Sequence, residues 1–234
     1  MKSGKRYLEQ QKLVDRTKMY SPSEAVSLLK SFSSAKFDET LELHVALGID
    51  PRQSDQQLRG TLSLPNGTGT TTRIAVIAGA DKLNEARQAG ADHVGSEDLV
   101  EQIQNGFLDF DLVITTPDMM AKVGRLGKIL GAKGLMPNPK SGTVTTNLTS
   151  AIQEFKAGRL EYKNDKAGII HIIIGKKSFP VEKLVENLAV VYDTLQKVKP
   201  SKAKGIYFRS ISLCATMSPG IFIEPLKVKW KEAA

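Results

Sequence analysis

Apolar and polar residues alternate along residues 40–47, a pattern that predicts a strand with one buried and one outward face. The residues predicted to face inward are Leu41, Leu43, Val45 and Leu47. The residues predicted to face outward are Thr40, Glu42, His44 and Ala46. The same alternation predicts a second strand over 58–64, and a capping box at Ser21 and Glu24 predicts a helix over 21–32.

From residue 73 the pattern changes to short apolar runs separated by helical segments. The runs 73–78 and 111–116 are typical of strands covered on both faces, and residues 93–95 predict a short third strand. Helices are predicted over 81–90, 97–106, 117–130 and 149–158. Because strand and helix alternate here, a small, parallel, Rossmann-like α/β sheet is expected.

After residue 160 the pattern again resembles that of residues 21–64, with alternating strands and separate helices. Strands are predicted over 168–175, 204–215 and 221–226, and an amphipathic helix over 180–199. The simplest organisation is discontinuous, with residues 1–65 and 160–234 forming one α+β domain and residues 66–159 an inserted α/β domain. Two chain crossings between the domains predict a hinge. Residues 1–20 are polar, so we expect them not to be ordered on their own.

The charge of the chain indicates an anionic partner. Lys and Arg number 33 against 25 Asp and Glu, which gives a net charge of +8 and suggests nucleic acid. Residues 66–159 carry ten bases and ten acids, so the whole excess lies in the discontinuous domain. Within the insert, residues 119–144 hold bases and no acid, and form a candidate second anion-binding face: Lys122, Arg125, Lys128, Lys133 and Lys140.

Composition disfavours several classes of protein. The single cysteine, Cys214, excludes an internal disulfide framework and an all-cysteine zinc site, and fits a reducing compartment. No run approaches the roughly 18 apolar residues of a membrane span, and residues 1–12 lack the apolar core of a signal peptide. A soluble protein without a membrane partner is expected. The histidines are scattered without metal-ligand spacing, so no metal or cofactor is predicted: His44, His93 and His171.

Two nucleotide-binding motifs do not fit the sequence. A dinucleotide fingerprint needs GxGxxG between a strand and a helix, and the glycines from Gly124 to Gly134 have another spacing. A phosphate-binding loop needs four residues where six separate Gly168 from Gly175. The rival interpretation from another class is an α/β enzyme whose insert binds a small anion. It requires a deep pocket with converging titratable groups, and no nucleophile–base pair is visible.

Residues 124–144 are the most distinctive stretch. Gly124, Gly127 and Gly131 would share one face of the predicted helix, where each costs about 1 kcal/mol relative to alanine. Two explanations stay open, tight packing against a neighbouring helix and close approach of an RNA backbone.

Other short motifs suit RNA. Lys36 and Phe37 pair a cation with an aromatic that either stacks on a base or packs in the core. The segments 161–167 and 175–179 are predicted to be basic loops at the two ends of one strand, projecting Lys163, Lys166, Lys176 and Lys177. The turn 215–219 offers a hydroxyl and a flexible thioether, which suit 2′-hydroxyl and base contacts.

Four segments together resemble the L1 family of large-subunit ribosomal proteins. They are PheAspGluThrLeuGluLeu (37–43), residues 48–61, GlyLeuMetProAsnProLysSerGlyThrVal (134–144) and PheLysAlaGlyArgLeuGluTyr (155–162). The resemblance extends from about Ser21 to Pro225. It implies a non-enzymatic structural protein of the lateral stalk, monomeric within the ribosome, whose discontinuous domain binds a structured rRNA junction.

The resemblance also implies which residues contact RNA. The implied set is Lys36, Phe37, Thr40, Glu42, Lys163, Asp165, Lys166, His171, Lys176, Lys177, Ser178, Ser210, Thr216 and Met217. The insert would face the tRNA that leaves the exit site and assist its release, with the basic residues of 122–140 as tRNA or further rRNA contacts. The alternative role implied by the family is a translational repressor that binds its own messenger RNA.

The sequence departs from the family pattern at two places. Residues 216–219 read ThrMetSerPro, with Ser218 where glycine is typical, and residues 130–134 read LeuGlyAlaLysGly without the usual proline, which would loosen the helix end. Residues 96–99 and 116–120 resemble the plastid and cyanobacterial branch. A plastid ribosome is therefore favoured, with the bacterial cytoplasm as the alternative.

Overall fold

The computed structural model describes residues 4–32 and 35–225. In chain order the helices are α1 (Lys5–Leu13), α2 (Pro22–Ser31), α3 (Leu83–Gln88), α4 (Glu97–Gln104), α5 (Met120–Val123), α6 (Gly127–Ala132), α7 (Leu148–Lys156) and α8 (Val181–Lys197). The strands are β1 (Thr40–Leu47), β2 (Arg59–Ser63), β3 (Ile74–Ile77), β4 (His93–Gly95), β5 (Leu112–Thr115), β6 (Arg159–Lys163), β7 (Ile169–Lys176), β8 (Phe208–Ala215) and β9 (Ile221–Ile223).

Contacts divide the chain into two compact units. One unit comprises the chain up to Gly69 and from Tyr162 onward, and the other comprises Thr70–Glu161. The predicted crossings lay at 65/66 and 159/160, a few residues earlier. The first crossing is later because Asn187, buried on α8, accepts the Asn66 N–H at 3.1 Å and donates to the Gly67 carbonyl at 3.0 Å. These bonds keep the turn after Pro65 in the first unit.

The first unit is built on an antiparallel sheet with strand order β7-β1-β8-β9. The predicted alternation in β1 is confirmed, since its four leucine and valine side chains are buried and its other four are partly exposed. Helices α2 and α8 pack against each other and against strands of this sheet. The other face carries the outward residues of β1 together with exposed His171 and Phe222. We call it the open face.

Residues 4–20, which belong to the polar start of the chain, include a helix and a bridge to a strand. Residues 1–3 lie outside the described part, but α1 follows them, and Tyr20 forms a bridge with Ile223. The Tyr20 N–H donates to the Phe222 carbonyl at 2.9 Å, so backbone bonding joins Tyr20 to β9. The capping box of α2 is confirmed, because the Glu24 N–H donates to Ser21 Oγ and the Ser21 N–H donates to the Glu24 carboxylate. Residues 226–234, including the last residue of the predicted strand 221–226, lie outside the described part.

The second unit contains the predicted small parallel sheet, with strand order β4-β3-β5. All four residues of β3 are buried, because apolar clusters cover both faces of the sheet. One cluster includes residues of α4, α5 and α6, and the other includes residues of α3 and α7. Among the described residues, no helix has the length and apolar character needed to cross a membrane.

The single long helix predicted over 117–130 is wrong. The segment forms two short α-helices, α5 and α6, each preceded by a turn of 3-10 helix. Gly124 and Gly127 occupy the junction, where their low helix propensity permits the change of helix type. Val123, Leu126 and Leu130 still reach the core, so the burial pattern survives the break.

The sequence did not reveal β6, which takes up the first three residues of the predicted basic loop 161–167. Strand β6 pairs with β2 in a two-stranded sheet. The Tyr162 side chain is buried, and the Leu58 N–H donates to Asn164 Oδ1 at 2.7 Å. The alternation of Leu160 and Tyr162 is too short to stand out among the surrounding charges.

Candidate nucleic-acid interface

Three segments that are distant in sequence meet at one end of the open face. The start of β1 lies between the end of β7 and the end of β8, with Thr40 opposite Lys176 and Leu41 opposite Ala215. Lys176 Nζ donates to Thr40 Oγ1 at 2.8 Å, and the Thr40 N–H donates to Thr216 Oγ1 at 3.1 Å. We call this region the sheet-end cluster. It gathers half of the predicted RNA-contacting residues: Lys36, Phe37, Thr40, Lys176, Ser178, Thr216 and Met217.

The sheet-end cluster presents large apolar side chains to solvent. Phe37 is 54% exposed and Met217 is 50% exposed. The alternative in which Phe37 packs in the core is therefore wrong. Lys36 is exposed beside Phe37, so this segment offers a π-face and a cation together, as stacking on an RNA base and contact with its phosphate require.

Two acidic residues that sequence reasoning missed connect the segments of this cluster. Asp38 accepts the Ser178 N–H at 3.1 Å and the Ser178 hydroxyl at 2.7 Å. Glu39 accepts the N–H groups of Ala35 and Met217. Their position between Phe37 and β1 was the available signal, because paired acids are unexpected where a basic surface is predicted.

Lys177 does not project from the strand end as predicted. The residue is only 8% exposed, and its Nζ donates to the Phe32 carbonyl at 2.8 Å. Its own N–H donates to the Glu39 carbonyl at 2.8 Å. The turn after β7 therefore directs Lys176 to Thr40 and Lys177 into the protein, so the predicted exposed pair of lysines is wrong.

Two of the three histidines meet in the middle of the open face. His44 lies opposite His171 in the β1–β7 ladder, and their Nδ1 atoms are 2.7 Å apart. His44 Nε2 is 3.1 Å from Cys214 Sγ. The expectation of scattered histidines is wrong for this pair, because the partners are 127 residues apart and only the strand register joins them.

The environment of His44 and Cys214 shifts the pKa values of both side chains. Burial, and then the neighbouring His171, lower the pKa of His44. Burial, and then the charge of Glu42, raise the pKa of the Cys214 thiol to about 11. Within residues 4–32 and 35–225, no three His, Cys, Asp or Glu side chains are placed to hold a metal ion.

Four further predicted residues, Lys163, Asp165, Lys166 and Ser210, lie towards the opposite end of the sheet. Lys163 and Lys166 are exposed around the turn that joins β6 to β7. Asp165 Oδ1 accepts the N–H groups of Ala167 and Ile169 at 2.8 Å each, and these backbone bonds lower the pKa of its carboxyl group. Ser210 lies opposite Ala46 on β1. The predicted set thus extends along the open face instead of surrounding one pocket.

The basic stretch of the second unit is exposed in four of its five predicted residues, Arg125, Lys128, Lys133 and Lys140. Lys122 instead forms an ion pair with Glu97, which lowers the pKa of that carboxyl group. A Cβ added at Gly124, Gly127 or Gly131 would meet nothing within 4 Å, so helix packing does not explain these glycines. The alternative, close approach of a ligand, stays open.

The two departures from the family pattern are accommodated locally. Ser218 Oγ accepts the Ala215 N–H at 2.8 Å, so serine closes the turn after β8 with its own side chain. Without the usual proline, the end of α6 is still closed, because the Leu135 N–H donates to the Leu130 carbonyl at 2.8 Å.

Comparison with known proteins identifies the family of the chain. A family model described as "Ribosomal protein L1p/L10e family" matches residues 29–219. The large ribosomal subunit protein uL1 of Kosmotoga olearia is 55% identical over 227 residues, which cover 97% of this chain and 98% of that protein. Because this relative is bacterial, it gives no support to a plastid origin.

The match also decides between the protein classes considered above. Proteins of this family are structural components of the large ribosomal subunit and not enzymes, so the rival interpretation as an α/β enzyme is wrong. Since both the family model and the relative cover most of its length, the chain belongs to the ribosomal protein L1p/L10e family and has a structural, ribosomal role.

Proposed function

We propose that this protein binds structured rRNA of the lateral stalk through its sheet-end cluster and open face. One observation carries the proposal: exposed Phe37 and Met217 lie among lysines and hydroxyls that three distant segments bring together. Membership of a family of large-subunit proteins supports rRNA as the partner.

The chemistry of the surface suits folded RNA. Lys36, Lys163 and Lys166 are exposed and would contact phosphates, which supply most of the affinity. Phe37 and Met217 would contact unstacked bases, and the Thr216 hydroxyl would contact a 2′-hydroxyl. We do not assign an RNA contact to Lys177, whose ammonium group is engaged inside the protein.

The second unit has a separate proposed partner, the tRNA that leaves the exit site. Its exposed bases Arg125, Lys128, Lys133 and Lys140 adjoin glycines whose Cα atoms are open to solvent. A glycine surface lets a phosphate backbone approach closely, while the bases supply charge. Lys122 would contribute least, because it is paired with Glu97. The unit would assist tRNA release by moving relative to the anchored first unit.

Repression of its own messenger RNA is the second candidate role. Stacking, phosphate and 2′-hydroxyl contacts recognise folded RNA of either kind, so the same residues would serve both. Co-sedimentation separates the two: a protein that acts only as a repressor would be largely absent from the ribosomal fraction.

Binding to an rRNA fragment of the stalk junction tests the main proposal, with an unrelated folded RNA as competitor over a salt series. Selective binding is expected, with log affinity falling against log salt by roughly 0.7 to 0.9 per phosphate contacted. Phe37→Ala should reduce the selectivity. Ile206→Ala is the matched control, because Ile206 is 69% exposed in the same unit but outside the sheet-end cluster. Equal affinity for both RNAs would contradict the proposal.

A further inference from the structure

We infer that Glu39 is a positioning residue for the sheet-end cluster: its buried carboxylate joins the Lys36–Phe37 segment to the Thr216–Met217 turn and holds both ready for RNA. The inference rests on the proposed RNA-binding function. It begins from burial, because Glu39 is only 2% exposed although it lies between two exposed, RNA-facing segments. Carboxylates are almost never so buried unless their oxygens are satisfied.

The two oxygens of the Glu39 carboxylate accept hydrogen bonds from two different loops. Oε1 accepts the Ala35 N–H at 2.8 Å, immediately before Lys36 and Phe37. Oε2 accepts the Met217 N–H at 3.1 Å, across a separation of 178 residues. The Glu39 carbonyl also accepts the Lys177 N–H at 2.8 Å, which adds the turn after β7. One residue therefore bonds all three segments of the cluster.

The bonds act on backbone groups and do not use the side chains of Phe37 and Met217. The N–H of Met217 donates to the carboxylate while its thioether is half exposed, and Phe37 is exposed two residues from the other bond. Bonds from N–H groups to a carboxylate are about twice as strong as neutral ones. Loops held in this way lose less conformational freedom when RNA binds, and affinity rises accordingly.

Electrostatics and positioning predict opposite results for the same substitution. Removing a negative charge beside an RNA surface should strengthen binding if charge alone matters. Glu39→Gln keeps the shape but supplies one carbonyl oxygen, and its NH₂ group would face the second N–H. If Glu39 positions the loops, binding should weaken although the protein becomes more positive.

The test measures affinity of the full-length protein for the stalk-junction rRNA fragment. Glu39→Gln should bind at least about fivefold more weakly, with the slope of log affinity against log salt unchanged because no cation is lost. Asp193→Asn is the matched control, an exposed carboxylate-to-amide change on α8 that should leave affinity unchanged. Unchanged or tighter binding by Glu39→Gln would overturn the inference. If the unsubstituted protein shows no preference for this RNA, the proposed function fails instead.

A second measurement begins with the unsubstituted protein, so its deciding result does not depend on the variant folding. In the free, unsubstituted protein, the amide protons of Ala35 and Met217 should exchange with solvent slowly, as those of hydrogen-bonded groups do. In Glu39→Gln the same two amides should show the largest NMR shift changes. Rapid exchange of both amides in the unsubstituted protein would overturn the inference whatever the binding data show.

Discussion

His44 illustrates how a single residue acquires a property that its sequence position does not give it. It lies between His171 and Cys214, and burial together with His171 lowers its pKa. Glu42, two residues along β1, acts in the opposite direction, but its charge raises the pKa of His44 by less than burial lowers it. Asp165 Oδ2 lies 3.6 Å from His171 Nε2. The folded protein therefore binds fewer protons than the unfolded chain just below pH 6.5, the ordinary value for histidine.

The free energy of unfolding should consequently fall as the pH drops below about 6.5. The fall continues until the pH passes the lowered pKa of His44, below which both states are protonated. His44→Gln should flatten this dependence, as measured by urea unfolding between pH 5 and pH 8. His93→Gln, a change in the other unit, should leave the slope intact, and an equal slope in all three proteins would exclude His44 as its source.

Truncation of Lys177 should affect the stability of the protein, whereas truncation of Lys176 should affect RNA binding. Lys177→Ala removes the donor to the buried Phe32 carbonyl and should lower the free energy of unfolding by about 1–3 kcal/mol. Lys176→Ala should change stability little but reduce the salt slope of RNA binding by roughly 0.7 to 0.9 if Lys176 contacts one phosphate. Denaturant unfolding and RNA titration of both variants check this, and a stability loss confined to Lys176→Ala would contradict the geometry.

At the scale of elements, α6 offers a direct test of the exposed glycines. Gly131→Ala adds a Cβ into open space within a helix, so it should raise the free energy of unfolding by about 0.5–1 kcal/mol. If a tRNA backbone approaches this surface, the same variant should bind tRNA more weakly while becoming more stable. Thermal unfolding and tRNA titration separate the effects. Destabilisation would instead mean that the glycine packs against part of the protein.

Elements with strong local signals could be predicted from the sequence. The alternation of β1, the capping box of α2 and the apolar runs of the parallel sheet each depend on a few adjacent residues. Strand β6 and the break between α5 and α6 could not, because they depend on pairing with β2 and on glycines inside an otherwise helical pattern. A tertiary contact decided β6, whereas the low helix propensity of the glycines allowed the break despite the helical spacing of the apolar residues.

The candidate site was less accessible to sequence reasoning than the fold. Its residues come from the starts and ends of three strands, and only their register brings Thr40, Lys176 and Thr216 together. The resemblance to a family supplied the set of residues, but not their burial, so Lys177 was included. Glu39 was missed because an acidic residue near a basic surface has no visible function until its backbone partners are known.

At the scale of the whole molecule, charge is divided unequally between the two units. The second unit, Thr70–Glu161, carries ten bases and eleven acids. The net positive charge of the chain therefore belongs to the first unit. Phosphate-dominated affinity follows local positive charge. We therefore propose that the first unit is the anchor on rRNA and that the two crossings of the chain between the units act as hinges.

This proposal predicts different rotational diffusion of the two units. When the first unit is bound to an rRNA fragment, its backbone amides should show the slow tumbling of the complex. Amides of the second unit should relax faster if the crossings near Gly69 and Tyr162 act as hinges. Amide ¹⁵N relaxation of the full-length protein, with and without RNA, measures both rates. Equal rotational diffusion in both states would mean that the units move as one body, and release of tRNA would then require motion of the RNA stalk itself.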